Sequence, residues 1–268
     1  MEINLHWIVD VDIIEENNSD IPEYIRSLGY KFTPLSVTKK FPKFDENSDD
    51  VYIFHGSFQE LRRVKNEVDV CTYGMQSSIY RSHYMSYLPS EWLLSDGIMT
   101  TWGKLCKNKE KYFNGYNEIF IRPDTGFKVF TGQVIYLNNF NDSKITLEKF
   151  SSISPETIIW ICPTVNIEHE YRLWISNGKI VGSTEYSWSN DEVNGIIPDS
   201  VYELANKVAN YEWQVDRIYV CDIHCNNEGN DPRIIELNSF SCSGLYQCDA
   251  KALFRQISLD IIDEWKEF

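Results

Sequence analysis

Residues 120–132 read FIRPDTGFKVFTG, a pattern that predicts a β-hairpin with two cations at its mouth. Arg122 ends the first strand, Gly126 makes the turn, and Lys128 begins the return strand, which runs to Tyr136. Arginine can fork onto phosphate oxygens while lysine acts as a point charge, so this pair could offset a triphosphate. Solvated lysines and arginines are also common on edge strands, and the hairpin alone leaves that alternative open.

Two later strands carry acids and an amide among apolar residues. Because side chains alternate along a strand, we expect two shared faces. They are Ile218, Val220 and Asp222 in strand 217–223, and Ile234, Glu236 and Asn238 in strand 233–238. If the strands pair, Asp222 comes near Glu236 and Asn238, with opposed Cβ atoms about 4.5–5.5 Å apart. Carboxylates this close favour a shared proton or a bridging cation. Two acids and an amide oxygen suit Mg²⁺, although a solvated hairpin end with unrelated acids would read the same way.

A third cation, Arg172, alternates with Glu170 on one face of a strand. An ordinary surface pair of glutamate and arginine would look the same. The histidines are dispersed along the chain, which argues against a zinc site or a histidine-based triad. Only His224 shares a strand face with Asp222.

The order of strands and helices predicts an αβ layer followed by antiparallel hairpins. The N-terminal elements are a strand at 3–11, a helix at 21–28, strands at 30–37 and 51–54, and a helix at 58–68. Residues 77–111 are rich in aromatic side chains and predict two helical pieces. Asn177-Gly178 predicts a type I′ turn between two strands, and residues 252–268 predict an amphipathic closing helix.

Length and composition indicate a folded protein of one elaborate domain or two packed ones. The chain has 268 residues, 43% of them hydrophobic, and a net charge of -15. That charge argues against broad nucleic-acid binding, so an anionic ligand would need a local basic site. Seven cysteines without paired CxxC motifs indicate reduced thiols, and no apolar run reaches the length of a membrane helix. Both features favour the cytosol.

The motifs, taken in order, resemble the ATP-grasp superfamily. They are FIRPDTGFKVFTG at 120–132, WICP at 160–163, EYRLW at 170–174, NGKIVGS at 177–183, Asp222, IELN at 235–238 and SGLY at 243–246. The set is most similar to a small clade, common in phages and bacteria, that has an Arg-Pro and a Lys-x-Phe-x-Gly in its lid. The resemblance covers about residues 91 to 250.

The resemblance implies a fold of the α/β (α+β) class with three parts. It places an αβ pre-ATP-grasp domain at 1–90 and the ATP-grasp domain at 91–268, with a small lid at about 110–160 and an antiparallel-sheet core at about 161–268. It also implies ATP and Mg²⁺ as cofactors.

The resemblance further implies a role for each matched residue. Arg122 and Lys128 would bind phosphates from the lid, and Arg172 would reach the γ-phosphate. The backbone at Trp160, Ile161 and Cys162 would form the hinge that contacts adenine. The implied metal ligands are Asp222, Glu236 and Asn238, and the implied substrate contacts are Ser241, Ser243 and Tyr246. The lysine that usually precedes the lid has only Lys104 and Lys107 as candidates.

The implied reaction is ATP-dependent ligation of a carboxylate to an amine through an acyl phosphate, with release of ADP and phosphate. The substrates would be amino acids, peptides or a protein terminus in the cytoplasm of a bacterium or a phage-infected cell. A nucleotide-dependent kinase would use the same cations and metal. A non-catalytic nucleotide-binding protein would not need the full acid set, and an acidic interaction module would leave the clustered cations without a purpose.

Overall fold

The computed structural model of the protein describes residues 3–14, 18–45, 48–127, 129–186 and 195–267. The strands are β1 (Asn4–Asp10), β2 (Lys31–Leu35), β3 (Asp50–His55), β4 (Ile98–Thr101), β5 (Glu118–Pro123), β6 (Gln133–Tyr136), β7 (Ile158–Cys162), β8 (His169–Ser176), β9 (Lys179–Tyr186), β10 (Ile218–Cys225) and β11 (Arg233–Ser239). The helices are α1 (Ile21–Ser27), α2 (Phe58–Lys65), α3 (Arg81–Tyr84), α4 (Trp102–Lys107), α5 (Lys109–Phe113), α6 (Phe140–Phe150), α7 (Asp199–Ala209) and α8 (Ala250–Lys266). Three sheets result, with strand orders β2-β1-β3, β4-β7-β5-β6 and β11-β10-β8-β9.

The N-terminal sheet is parallel, as the alternation of strands and helices predicts. β1 lies between β2 and β3 and runs parallel to both. Ser57 caps α2, since its Oγ accepts a hydrogen bond from the backbone N–H of Glu60 at 3.3 Å. Trp7 is fully buried and donates from Nε1 to Ser258 Oγ of α8 at 3.0 Å. The first and last segments of the chain therefore share one core.

The lid sheet, defined here as β4-β7-β5-β6, is antiparallel throughout. Its inner face, which includes Ile119, Ile121 and Ile161, packs in one core cluster with side chains of α4, α5 and α6. β6 begins only at Gln133, so the return strand is shorter than predicted. The predicted start at Lys128 lies outside the described residues.

The prediction of two helical pieces at 77–111 is only partly correct. The segment contains 3₁₀ turns at Ser77–Ile79 and Ser90–Trp92, the short helices α3 and α4, the start of α5 and the edge strand β4. Pro89 directly precedes the second turn, and Gly97 lets the chain pass against β7, where a Cβ would clash with Ile161 and the Trp160 ring. These two residues explain why no long helix forms.

The core sheet, β11-β10-β8-β9, is antiparallel. Asn177 and Gly178 have φ values of 48° and 72°, which confirms the predicted turn between β8 and β9. One face of the sheet packs against α7 through residues such as Leu173 and Cys221. The opposite face changes along β10, from the buried Val220, in the core cluster shared with α8, to the polar Asp222.

A β-bulge in β11 corrects one sequence-based prediction. Asp222 pairs with Glu236, but the next residue of β10, Ile223, pairs with Ile234, so Ile235 has no residue opposite it. The extra residue reverses the alternation. Ile234 therefore packs in the cluster next to α7, whereas Glu236 and Asn238 lie on the other face. The predicted common face of Ile234, Glu236 and Asn238 is wrong for Ile234.

None of the helices in the described part of the chain combines the length and apolar character needed to cross a membrane. The division into a domain at 1–90 and another at 91–268 stays a prediction. The sheet that holds the predicted lid begins at Ile98, before the predicted boundary of about 110.

Candidate functional site

A cavity of about 380 Å³ lies where the three sheets meet. Its wall draws on the outer face of the lid sheet, the polar end of the core sheet and the N-terminal layer. The residues that carry its chemistry are Arg81, Arg122, Trp160, Glu170, Arg172, Glu236 and Asn238. The loop between β5 and β6 reaches across to the N-terminal layer, because Phe127 packs on Phe58 of α2 with ring centroids 6.0 Å apart.

The lid wall has an apolar row and a basic row. Phe120 pairs with Val134 on one side and Cys162 on the other, and all three line the cavity. Arg122 lies two residues further along β5, opposite Trp160. Two residues of strand span about 7 Å. An apolar ring and a charged tail of one ligand could therefore contact the two rows together.

On the core wall, Arg172 of β8 binds Asp222 of β10 in a bidentate ion pair. Arg172 Nε donates to Oδ1 and Nη2 donates to Oδ2, both at 2.8 Å. Nη1 donates to the carbonyl oxygen of Gly244, and the guanidinium lies 5.0 Å from the centroid of the Tyr246 ring. Burial alone lowers the pKa of Arg172, but the charge of Asp222 outweighs it and the net pKa is raised. Asp222 is fully buried beneath this pair.

A second ion pair joins the lid to the core. Arg122 of β5 binds Glu236 of β11 through Nη2 and Oε2. Burial alone would raise the pKa of Glu236, yet attraction to Arg122, followed by the hydrogen bond from Asn238, lowers it overall. The pKa of Arg122 is raised, because the attraction of Glu236 exceeds the effect of burial. Both side chains therefore stay ionised where they meet.

The Asn238 amide bridges the two carboxylates. Its Nδ2 donates to Asp222 Oδ2 at 2.8 Å and to Glu236 Oε1 at 2.6 Å. A donor between two acids occupies the position that the sequence predicts for a cation. The opposite side of the amide carries an oxygen, so rotation of this one group would offer a ligand in place of a donor.

The donor set at this point fits a hard divalent cation in part. Glu236 and Asn238 line the cavity, and their oxygens are the ligand type that Mg²⁺ prefers. Asp222 lies directly behind them, with both oxygens bound by Arg172. No group of three or more His, Cys, Asp or Glu side chains within the described ranges could hold a metal by itself. The site therefore depends on the amide as well as on the acids.

The loop after β11 separates the three predicted substrate residues. Ser243 and Tyr246 line the cavity. Ser241 is fully buried, and its Oγ accepts a hydrogen bond from the backbone N–H of Tyr73 at 2.9 Å. Its carbonyl oxygen accepts a second hydrogen bond from Gly56 at 2.8 Å. Ser241 thus fixes the loop to the N-terminal layer, which argues against direct contact with a substrate.

Other predicted residues are placed as follows. Trp160 and Cys162 line the cavity, whereas Ile161 points into the lid core and pairs on both sides with neighbouring strands. Lys104 and Lys107 are exposed on α4 and do not line the cavity. Lys128 lies outside the described residues.

One cavity residue was missed by the sequence analysis. Arg81 begins α3, is buried, and stacks on the Trp160 ring with its Cζ 4.8 Å from the ring centroid. Its Nη1 donates to the carbonyl oxygen of Ile235, the bulge residue, at 2.8 Å. The segment around Arg81 shows only aromatic richness, and the bulge has no sequence signature, so neither feature could have been foreseen.

Comparisons with known proteins agree with this architecture. Residues 51–257 match a family described as an ATP-grasp domain, the third family of its clade. The D-alanine–D-alanine ligase from Bacillus anthracis has a similar structure, with a TM-score of 0.58, 15% identity, and coverage of 100% of this chain and 100% of that one. The D-cycloserine synthetase DcsG gives a TM-score of 0.57 at 10% identity, covering 91% and 93% of the two chains. The ATP-grasp ligase PsnB, complexed with minimal precursor, gives 0.52 at 11% identity, covering 91% and 93%.

No curated protein matches the chain. The similar structures share too little sequence to show more than the fold, and that fold agrees with the predicted α/β (α+β) architecture and its antiparallel core.

Proposed function

Because the chain belongs to this ATP-grasp domain family, we propose that it is an ATP-dependent ligase joining a carboxylate to an amine. One observation carries the proposal beyond the family. Three guanidinium groups, those of Arg81, Arg122 and Arg172, share a cavity with Glu236 and Asn238 where the lid sheet meets the core sheet. A protein with a net charge of -15 gathers cations in this way where it binds an anion.

The nucleotide would lie along the lid wall. Its base would contact the apolar row of Phe120, Val134 and Cys162, and its phosphates would reach Arg122 and Arg172. Lys128, predicted beside Arg122, is proposed as a further phosphate contact. Glu236 and Asn238 would hold Mg²⁺, and Asp222 would join them once released by Arg172. Bound magnesium would neutralise phosphate charge and polarise the phosphoryl oxygens.

In the proposed reaction, an oxygen of the substrate carboxylate attacks the γ-phosphorus and ADP leaves. The amine then attacks the carbonyl carbon of the acyl phosphate, and phosphate leaves as the amide forms. Positioned arginines stabilise the charge of the transferring group, and little covalent help from the protein is required. Ser243 and Tyr246 are proposed to contact the substrate.

The acyl phosphate must be protected from water, and the loop between β5 and β6 is placed to do this. Asp124 accepts hydrogen bonds from Ser82 N–H and Oγ, both at 2.7 Å, at one end of the loop. Phe127 packs against Phe58 further along it. The loop is thus tied to both sides of the cavity mouth.

The similar ligases act on amino acids or bind a precursor, according to their names, which supports an amino acid, peptide or protein terminus as substrate here. We also propose that the chain belongs with the phage and bacterial proteins whose lid carries the Arg-Pro and Lys-x-Phe-x-Gly motifs, and that it acts in the cytoplasm.

The test is incubation with ATP, Mg²⁺ and panels of amino acids and peptides, with ADP, AMP and product mass measured. We expect ADP release together with a new amide mass. Glu236→Gln should abolish turnover, because Mg²⁺ would lose its cavity carboxylate. Glu110→Gln, which changes an exposed acid on α5, is the matched control and should keep full activity.

Other outcomes would reject parts of the proposal. AMP release would contradict the acyl-phosphate route. A stable phosphorylated product without an amine would identify a kinase, and nucleotide binding without turnover on any panel would favour a non-catalytic binder. Full activity of Glu236→Gln would remove the magnesium assignment.

A further inference from the structure

The three arginines of the cavity differ in how their charge is balanced. Arg122 binds Glu236, and Arg172 binds Asp222. Arg81 forms no ion pair with any carboxylate in the described part of the chain. A buried charge without a counter-ion is costly, so such a group is stabilised when an anion reaches it.

The contacts of Arg81 leave part of its guanidinium available. The residue is 4% exposed. Nη1 donates to the carbonyl oxygen of Ile235 at 2.8 Å and to the Tyr84 hydroxyl at 3.2 Å. Nε is buried without a hydrogen-bond partner, and Nη2 donates no hydrogen bond to a described residue. Two of the three guanidinium nitrogens therefore lack an acceptor among the described residues, and Arg81 lines the cavity.

The position of Arg81 identifies which anion it meets. Its guanidinium stacks on Trp160, and Trp160 is the strand partner of Arg122. Arg81 and Arg122 thus both adjoin one indole ring of the lid wall, next to the apolar row proposed for the base. A phosphate bound between these two arginines would belong to a nucleotide whose base contacts that row.

We propose that Arg81 is the first anion contact of the cavity and binds the nucleotide phosphates without Mg²⁺. This inference rests on the proposed function. Arg122 and Arg172 are held by their carboxylates until another cation takes over Glu236 and Asp222, whereas Arg81 needs no such exchange. A planar guanidinium suits phosphate oxygens, and the stacked indole fixes its plane.

The first test compares ADP with adenosine on the wild-type protein in EDTA, using titration calorimetry. We expect ADP to bind at least about tenfold more tightly than adenosine, since a charge-assisted contact with phosphate contributes without metal. Inorganic pyrophosphate should compete with ADP under the same conditions. Equal affinity for ADP and adenosine would overturn the proposal, and this comparison requires no variant that must fold.

The second test uses Arg81→Gln and Arg81→Lys. Glutamine keeps a donor for Ile235 but removes the charge, and we expect ADP affinity in EDTA to fall about tenfold or more, with partial retention for lysine. Lys104→Gln and Lys107→Gln are matched controls, because both remove an exposed charge outside the cavity wall, and they should bind ADP like the wild type. Melting temperatures without ligand should be recorded, because a merely structural role would lower stability and leave the preference for ADP over adenosine unchanged.

Two results separate this inference from the proposed function. Nucleotide binding that requires Mg²⁺, or ADP affinity in EDTA that does not change in Arg81→Gln, would refute the role of Arg81 and leave the ligase proposal intact. Absence of nucleotide binding even with Mg²⁺ would reject both.

Discussion

Removing one partner of the buried Arg172–Asp222 pair should destabilise the protein strongly. The side chains are 8% and 1% exposed, and two hydrogen bonds of 2.8 Å join them. Asp222→Leu would leave the Arg172 guanidinium in the interior with only the Gly244 carbonyl and the Tyr246 ring as polar contacts of the kind described above. Arg172→Met would leave the Asp222 carboxylate buried with the Asn238 amide.

The expected magnitude follows from breaking a buried ion pair on one side. Such changes cost about 3–5 kcal/mol in the free energy of unfolding, because the surviving charge is not solvated. For a protein of this size, each kcal/mol corresponds to about 2–4 °C in melting temperature, so each single variant should melt roughly 6–20 °C below the wild type. The double variant has no unpaired charge, and we expect it to be less destabilised than the sum of the two singles by at least about 2 kcal/mol.

The assay is equilibrium unfolding in urea of the wild type, both single variants and the double variant, which together form a double-mutant cycle. Folding should be followed by circular dichroism, with melting temperatures as a second measure. If the two single changes add within about 0.5 kcal/mol, the residues are not energetically coupled and the reasoning fails. A single variant as stable as the wild type would show that water reaches the remaining charge.

Two further predictions concern stability. Gly74→Ala should destabilise the protein by clearly more than Gly29→Ala: both glycines have positive φ, but a Cβ on Gly74 would lie 2.7 Å from Ser239 Cα whereas Gly29 has open space, so equal losses in urea unfolding would contradict the steric argument. Burial lowers the pKa of His55 to about 4, so the neutral ring contributes stability that is complete above pH 6.5 and is lost as pH falls toward 4, by up to about 3 kcal/mol. Unfolding measured from pH 7 to pH 4 should therefore show a shallower loss for His55→Leu than for the wild type, and parallel profiles would refute the assignment.

The parts of the fold that sequence predicts well are those decided by local chemistry. The turn at Asn177-Gly178 needs positive φ at two successive residues, and this dipeptide supplies it. The cap at Ser57 and the parallel N-terminal layer depend on similarly local signals. Residues 77–111 were mispredicted because their aromatic side chains serve tertiary contacts, and because Pro89 and Gly97 act through the surroundings that they permit.

For the candidate site, the periodicity of strands was sufficient to bring Asp222, Glu236 and Asn238 together, as their hydrogen bonds show. It failed at Ile234, because one extra residue in β11 shifts the register and no residue type encodes that bulge. Arg81 was missed for a related reason, since its partner is the carbonyl oxygen of the bulge residue. The roles of these residues toward a ligand are proposals that the fold alone does not decide.

The charges of the cavity impose a constraint on any nucleotide mechanism. Glu236 is bound by Arg122, and Asp222 is bound by Arg172, so neither acid can receive a metal without giving up an arginine. Under the proposed function, this competition is productive, because each arginine displaced by magnesium becomes available to a phosphate in the same cavity. The exchange leaves the local charge balanced in a poorly solvated space, which keeps its electrostatic cost low. Since the Arg122–Glu236 pair also joins the lid to the core, metal binding and lid position should be coupled through this single contact.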